Sequence, residues 1–500
     1  MLEVSPPTLQ RDATGIDGLD DILLGGLPHG HIYLLEGEPG TGKTTLAMDF
    51  LRAGLKRGER TLYVTLSETA EELLLVSRSH NWDLREVNIV ELERDIARHA
   101  TESQYTVFEA TEVELGDTMG QVYKAAEDLM PDRIVIDSLS ELRLLSRDSL
   151  RFRRELLGMK RFFADLGSTV LMLDDRTLDL HEGLLQSIAH GVVRLERLTT
   201  EYGAERRRLI VSKLRGSRFR EGYHDYRVKT GGIKVYPRLI ASEHRNTVLS
   251  GELLSGIDNL DVLLGGGLDR GTSTMLLGPS GVGKSTISAM YAVAAADKGE
   301  RVEIFLFDEN LGTYLSRDQG LQLGMAPHIE SGMINVRQVD PAEISPGEFS
   351  NQLRQAVEER GMRHLVLDSL NGLIQAMPGE QTLMIQVHEM LSYLNQSNIT
   401  TVISLAQHGL VGAGLASAAD LSYVADTLVL LRFFEAFGEL RKAVSVVKKR
   451  TGEHEKTVRE LDIMPGGLRV GAPLRQFQGI FTGVPQTFDA EAGLFHAERR

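Results

Sequence analysis

Gly37-Glu-Pro-Gly-Thr-Gly-Lys-Thr44 fits the phosphate-binding pattern G-x-x-x-x-G-K-[ST], and Gly278-Pro-Ser-Gly-Val-Gly-Lys-Ser285 fits it a second time. Each stretch follows a short apolar run and precedes a helical pattern, which is the context that a phosphate loop requires. In such a loop the glycines let backbone N–H groups surround a phosphate, the lysine reaches the terminal phosphates, and the hydroxyl meets Mg²⁺. The sequence therefore predicts two ATP sites with Mg²⁺, formed by Gly37, Gly40, Thr41, Gly42, Lys43, Thr44 and Thr45, and by Gly278, Gly281, Val282, Gly283, Lys284, Ser285 and Thr286.

The two loops belong to a repeat of the whole chain. Thr14-Gly-Ile-Asp-Gly-Leu-Asp recurs as Ser255-Gly-Ile-Asp-Asn-Leu-Asp, and Lys43 recurs as Lys284, 241 residues later. A repeat of this length, in a chain of 500 residues, indicates one domain per copy. We expect an N-terminal domain at 1–245, a C-terminal domain at 246–488 and a short tail at 489–500.

Short apolar runs alternate with longer helical patterns in both halves. Strands are predicted at residues 32–36, 61–66, 133–136 and 169–173, and in the second half at 274–277, 302–307, 364–367 and 401–405. An amphipathic stretch at 150–166 predicts a helix that covers one face of a sheet. This alternation predicts an α/β fold, with a mainly parallel, twisted sheet flanked by helices in each domain.

Acidic residues follow the third predicted strand of each half. Asp137 ends the run Ile-Val-Ile and Asp368 ends the run Leu-Val-Leu. A carboxylate at the carboxyl end of a strand beside the phosphate loop can hold the Mg²⁺ water shell. The expected metal residues are therefore Thr44 with Asp137, and Ser285 with Asp368 and Asp308.

Hydrolysis also needs a group that orients or deprotonates the attacking water. Glu68 in the first half, and Asp308 and Glu309 in the second, lie at the end of the second predicted strand. These carboxylates are the candidate catalytic residues. The alternative is that they only cap the helix that follows.

Composition restricts the class of protein. The net charge is −15, there is no cysteine, and no apolar run reaches the 18 residues of a membrane span. Disulfides, thiol chemistry and a transmembrane helix are excluded, and the acidic balance disfavours nucleic acid as a partner. The polar start, residues 1–11, has no pattern of a secretory signal, so we expect a cytoplasmic protein.

Together these motifs resemble the KaiC family of the RecA superfamily over residues 14–488. The distinctive addition is Lys213-Leu214-Arg215-Gly216. The resemblance implies two tandem RecA-like P-loop NTPase domains. A two-tiered homohexameric ring with nucleotide at the subunit interfaces is implied as well. It also implies that Lys213 and Arg215 reach the nucleotide of a neighbouring subunit, where cations stabilise transition-state charge.

The second half departs from this motif, because it reads Lys448-Lys449-Arg450. Lys448 and Arg450 match the family's finger residues best by position, and Lys449 competes with them. The resemblance further implies autophosphorylation in this half. Ser422 and Tyr423 stand at the acceptor pair, with Asp308 and Glu309 matching the acids that would act as base.

The sequence thus favours an ATP-hydrolysing, ring-forming switch with possible Ser/Thr autokinase activity and an unidentified signalling partner. One alternative is a RecA-like DNA-binding recombination or repair motor. The other is a nucleotide-sensing scaffold with slow turnover.

Overall fold

The structure, a computed structural model, describes residues 9–92, 110–146, 149–175, 182–199, 203–243, 251–375, 380–407, 425–480 and 486–487. The chain divides into two compact units, one formed by residues 1–201 with 205–238 and the other by residues 202–204 with 239–500. The finer boundaries expected at 245 and 488 stay predictions. The expected tail at 489–500 lies outside the described residues.

The first unit contains seven helices and eleven strands within its described residues. The helices are α1 Asp17–Ile22, α2 Lys43–Leu55, α3 Ala70–Ser79, α4 Ala110–Leu129, α5 Leu139–Ser146, α6 Ser149–Leu166 and α7 Glu182–Ile188. The strands are β1 Arg11–Asp12, β2 Leu27–Pro28, β3 Ile32–Gly37, β4 Thr61–Thr65, β5 Asn88–Glu91, β6 Arg133–Asp137, β7 Thr169–Asp175, β8 Gly191–Leu198, β9 Arg206–Leu214, β10 Tyr223–Lys229 and β11 Gly232–Tyr236.

The second unit follows a short 3₁₀ helix at Ala241–Glu243 and shares much of this order of elements. Its helices are α8 Asp258–Leu263, α9 Lys284–Asp297, α10 Leu311–Leu321, α11 Ala326–Glu330, α12 Pro346–Glu358, α13 Leu370–Gln375 and α14 Glu380–Gln396. Its strands are β12 Glu252–Leu253, β13 Leu268–Asp269, β14 Ser273–Gly278, β15 Arg301–Leu306, β16 Ile334–Gln338, β17 Met362–Asp368, β18 Thr400–Ala406, β19 Thr427–Ala436, β20 Glu439–Lys449, β21 Arg459–Met464, β22 Gly467–Pro473, β23 Phe477–Gln478 and β24 Gln486–Thr487.

The main sheets of the two units have the same topology. The strand order is β11-β10-β9-β8-β3-β7-β6-β4-β5 in the first unit and β22-β21-β20-β19-β14-β18-β17-β15-β16 in the second. Neighbouring strands from β8 to β5, and from β19 to β16, pair in parallel. The remaining three strands of each sheet are joined antiparallel.

The central strands are apolar because both faces of each sheet are covered. Tyr33 and Leu35 of β3 enter one core cluster, whereas Ile32 and Leu34 enter another. Successive side chains of a strand point to opposite faces, so the two clusters lie on the two sides of the sheet. Helix α2 packs in the first cluster and α6 in the second.

The expected α/β fold with mainly parallel sheets is therefore confirmed. The predicted central strands and the helix at 150–166 agree with the structure to within two residues at each end. The antiparallel strands at one edge were not predicted, because their exposed and charged residues hide the apolar pattern.

Candidate nucleotide sites

The first phosphate loop joins β3 to α2 at the carboxyl edge of the sheet. Gly40 and Gly42 have φ angles of +79° and +96°, a region that residues with a Cβ seldom adopt. Lys43 begins α2, and its Nζ donates to the carbonyl oxygens of Gly37 at 2.8 Å and Glu38 at 3.1 Å. The loop therefore surrounds its own lysine side chain. The N–H groups at the N-terminus of α2 favour the binding of an anion there.

The second loop has the same geometry between β14 and α9. Gly281 and Gly283 have φ angles of +77° and +115°, and the Lys284 Nζ donates to the Gly278 and Pro279 carbonyl oxygens, both at 2.8 Å. Burial lowers the pKa of the Lys284 ammonium to about 8, opposed by the charge of Asp368. The flanking residues named from the sequence are mostly enclosed: Thr41, Thr45, Val282 and Thr286 are buried.

Asp137 lies at the end of β6, next to the first loop. Its Oδ2 accepts hydrogen bonds from Thr44 Oγ1 at 3.2 Å and from the buried Tyr63 hydroxyl at 2.6 Å. Burial raises the pKa of this carboxyl, whereas the bonds from Tyr63 and Thr44 lower it. Thr44 and Asp137 thus form the adjacent hydroxyl and carboxylate pair that the sequence predicts. Tyr63 was not predicted.

These donors fit a magnesium ion. The described part of the chain has no group of three or more His, Cys, Asp or Glu residues that could hold a metal. Mg²⁺ in nucleotide sites needs fewer, because one or two carboxylates act together with the substrate phosphates. In the second unit Asp368 Oδ2 is buried without a partner among the residues described, so it retains a lone pair for such an ion or its water.

Glu68 follows β4 at the same edge of the sheet. The cap of α3 is Thr69, whose side chain accepts from the Glu72 N–H, so Glu68 does not serve as the cap. Glu68 Oε2 is buried and has no hydrogen-bond partner among the described residues. Burial raises the pKa of this carboxyl, with further contributions from Asp137, Glu72 and Asp175.

Asp175 is a site residue that sequence reasoning missed. It ends β7, beside Gly37 of β3, and its Oδ1 lies 2.7 Å from the Lys43 Nζ. The strand-end position that singled out Asp137 applies equally to this residue. A prediction that covered every strand beside the loop would therefore have found it.

The acids of the second unit line a cavity of about 660 Å³ together with the second loop. Asp308, Glu309 and Asp368 all border it, and so do Lys284 and Ser285. The Ser369 hydroxyl donates to Asp308 Oδ2. The helix after Glu309 is capped by Asn310, so neither acid is the cap. The structure thus brings the predicted acids of this half together.

The two sites differ in their charged neighbours. Gly278 pairs with Ala406 where Gly37 pairs with Asp175, so the second site lacks that acid. Arg317 of α10 also borders the second cavity, and its Nη1 donates to Glu309 Oε1 at 2.8 Å. Arg317 was likewise missed, because Glu309 lies before α10 and the pairing depends on how that helix packs.

Lys213 and Arg215 lie at the opposite end of the strands from the first loop. Lys213 Nζ donates to the carbonyl oxygens of Gln186 and Ala189, and Arg215 Nη2 donates to that of Ser187 at 2.8 Å. Burial lowers the pKa of the Lys213 ammonium, with further contributions from Arg215 and Lys160. Leu214 between them is buried. The structure therefore does not bring these cations to the phosphate loop of their own unit.

Strand register identifies the corresponding residues in the second unit. Gly191 pairs with Leu214, and the equivalent Thr427 pairs with Lys449. The Lys449 side chain is 2% exposed, lies 3.1 Å from Asp269 Oδ2 and donates to the Leu264 carbonyl oxygen. Lys449 thus occupies the strand position of Leu214, with its side chain buried. Lys448 and Arg450 take the places of Lys213 and Arg215.

Two other expectations concern the phosphate acceptors and the membrane. Ser422 and Tyr423 lie outside the described residues. No helix in the described ranges is long and apolar enough to cross a membrane.

Comparison with known proteins agrees with this geometry. A family model for the KaiC ATPase matches residues 13–240 and again residues 253–475. The chain is 25% identical to the circadian clock protein KaiC3 of Synechocystis sp. over 97% of its length and 96% of the relative's. It is 26% identical to the circadian clock oscillator protein KaiC of Prochlorococcus marinus, covering 95% and 96%, and 25% identical to that of Synechococcus elongatus, covering 94% and 91%. The chain belongs to the KaiC family of ATPases.

Proposed function

We propose that both units bind Mg-ATP and that the first unit is the main site of hydrolysis. The observation that carries this proposal is the group at the carboxyl edge of the first sheet, where Thr44 and Asp137 lie within 3.2 Å and Glu68 keeps a carboxylate oxygen without a partner among the described residues. A lysine that holds phosphate, a hydroxyl–carboxylate pair and a nearby base are the parts that phosphoryl transfer to water needs.

Each residue has a distinct role in this proposal. Lys43 and the loop N–H groups bind the phosphates, and Thr44 with Asp137 would hold Mg²⁺. When bound, Mg²⁺ neutralises charge on the phosphates. Glu68 accepts a proton from the attacking water, and a raised carboxyl pKa strengthens such a base near neutral pH. Lys284, Ser285, Asp368 and Asp308 would play the binding roles in the second unit.

Trans-acting fingers follow from the position of Lys213 and Arg215. Along β8, four residues separate Gly191, next to Leu214, from Leu195, which pairs with Gly37. Four residues of strand span about 13 Å. If these cations contact a nucleotide, it therefore belongs to another subunit. We propose a two-tiered homohexameric ring in which Lys448 and Arg450 serve the second tier.

For the second unit we propose retention of ATP and autophosphorylation at Ser422 or Tyr423, with Asp308 and Glu309 near the γ-phosphate. The phosphorylation state would then change binding of a signalling partner in the cytoplasm. Mass spectrometry after incubation with Mg-ATP tests this step, with Glu309→Gln as the control. Absence of phosphate on both residues would remove the autokinase from the proposal.

Subunit mixing tests the hydrolysis and the ring together. One variant carries Glu68→Gln with intact fingers, and the other carries Lys213→Ala and Arg215→Ala with intact Glu68. We expect each to release phosphate slowly, and the mixture with Mg-ATP to exceed the sum of the two, because mixed rings restore complete interfaces. Light scattering should show a sixfold mass with Mg-ATP. A mixture no faster than its components would contradict fingers in trans.

A further inference from the structure

The two candidate base residues occupy the same position in the repeat but have different surroundings. Glu68 Oε2 is buried and has no partner among the residues described. Glu309, 241 residues later, accepts a hydrogen bond of 2.8 Å from Arg317 Nη1. The equivalent of Arg317 in the first unit is Val76 of α3, which offers no charge. This ion pair is therefore a specific feature of the second site.

Arg317 also contacts an aromatic ring beside Glu309. Its guanidinium lies 5.0 Å from the ring centre of Tyr314, which is fully buried. Its Nη2 is buried and has no hydrogen-bond partner in the described part of the chain. Arg317 borders the same cavity as Lys284 and Asp368. A buried guanidinium nitrogen with an unused donor is suited to an anionic oxygen of a nucleotide.

Hydrolysis is faster when no cation engages the carboxylate that acts as base. The attacking water gives its proton to the base as its oxygen bonds to the γ-phosphorus, and the bridging oxygen leaves on ADP. A carboxylate already engaged by a guanidinium has one acceptor oxygen fewer and a compensated charge, so it is the weaker base. Glu68 Oε2 has no partner among the described residues, whereas Glu309 has one of its two oxygens engaged by Arg317.

We propose that Arg317 is a positioning residue that restrains hydrolysis at the second site, so that this site holds ATP longer than the first. Arg317 engages Glu309 through Nη1, and Nη2 donates to the bound nucleotide, which keeps the guanidinium in place. This inference rests on the proposed function, because it assumes that Glu309 can act as base. It assigns the different behaviour of two similar sites to one side chain.

The test uses the full chain with Glu68→Gln, which silences the first site. In this background Arg317→Val, the residue of the first unit, should increase single-turnover hydrolysis by about tenfold while weakening Mg-ATP binding no more than severalfold. Arg317→Lys keeps a cation near Glu309 and should stay close to the parent rate. The reciprocal change Val76→Arg, in an otherwise unaltered chain, should slow the first site, whereas Val76→Met should not.

An unchanged or lower rate for Arg317→Val, with ATP still bound, would overturn the proposal. So would a Val76→Arg protein that binds ATP and hydrolyses it at the original rate. Failure of the proposed function is distinguishable, because the unaltered chain would then release no phosphate and Glu68→Gln would change nothing.

Discussion

Replacing Tyr63 by phenylalanine tests the electrostatics of the first site most simply. Tyr63 is fully buried, and its hydroxyl donates to Asp137 Oδ2 at 2.6 Å. Among the described contacts of that oxygen, Thr44 at 3.2 Å is the one that remains. The substitution removes one oxygen atom and leaves a buried carboxylate with a weaker set of donors.

The magnitude follows from the charge of the acceptor. A hydrogen bond to a charged group contributes about 1.5–3 kcal/mol, and one between neutral groups about 1 kcal/mol. Tyr33 supplies the matched control, since it is equally buried and its hydroxyl donates to the neutral Pro28 carbonyl oxygen at 2.6 Å. At pH 7.5 we expect Tyr63→Phe to lower the free energy of unfolding by about 1–2 kcal/mol more than Tyr33→Phe does.

The difference in unfolding free energy between Tyr63→Phe and Tyr33→Phe should depend on pH. Burial already raises the pKa of Asp137 in the folded state, and the Tyr63 bond counteracts that rise. Loss of the bond raises this pKa further, so the folded state becomes less stable wherever Asp137 is ionised. As the pH falls through the folded pKa, the carboxyl becomes protonated and the excess cost of Tyr63→Phe diminishes.

Tryptophan fluorescence during urea unfolding reports this directly, because the chain has a single tryptophan. Trp82 is buried in the core of the first unit, so its signal follows that unit alone. The reasoning is refuted if Tyr63→Phe costs no more than Tyr33→Phe at pH 7.5. It is also refuted if the difference grows as the solution is acidified.

Three further predictions concern charged groups. Glu68→Gln should stabilise the first unit at neutral pH, because the raised pKa of Glu68 in the folded state means that its ionised form destabilises the fold. This gain in the free energy of unfolding should vanish below about pH 4, where Glu68 is protonated in both the folded and the unfolded chain. Asp175→Asn should lower the Kd of the first site for Mg-ATP about fivefold, because a carboxylate 2.7 Å from Lys43 competes with phosphate. Lys449→Met should destabilise the second unit by about 3 kcal/mol, because Asp269 loses its cation and keeps the Thr451 hydroxyl as a donor. Lys448→Met should cost less stability and reduce trans-stimulated hydrolysis.

Each of these predictions has its own measurement. Urea unfolding of Glu68→Gln at several pH values checks the first prediction. A lower free energy of unfolding for this variant at pH 7.5 would contradict it, because ionised Glu68 would then stabilise the fold. Titration of a fluorescent ATP analogue, with Lys284→Ala blocking the second site, checks Asp175. Asp165→Asn, an exposed acid of α6, controls for overall charge. Calorimetry checks Lys449. Equal losses of stability for Lys448→Met and Lys449→Met would contradict the assignment of Lys449 as the buried residue of the pair.

The sequence contains most of the information about the sheet and the loops. Glycine positions that need positive φ, such as Gly42 and Gly283, are local requirements that a motif states directly. The run ending at Asp137 is buried on both faces, so its apolar pattern is unbroken. Both kinds of signal depend on neighbours in the chain, which is why they could be read without a structure.

Contacts between distant elements were not predictable in this way. The inward place of Lys449 became clear only from its register opposite Thr427, because the sequence around it offers three adjacent cations. The pairing of Arg317 with Glu309 depends on how α10 packs beside the cavity. Tyr63 reads as an ordinary strand residue until β4 lies beside β6.

The central claim is that the first unit hydrolyses ATP and the second mainly retains it. Phosphate release by Glu68→Gln and Glu309→Gln, measured at saturating Mg-ATP, compares the two bases at equivalent positions. Loss of a general base lowers a rate by about 10²–10⁴-fold at its own site. The account predicts that Glu68→Gln abolishes most turnover and Glu309→Gln preserves most of it. The opposite pattern would contradict it.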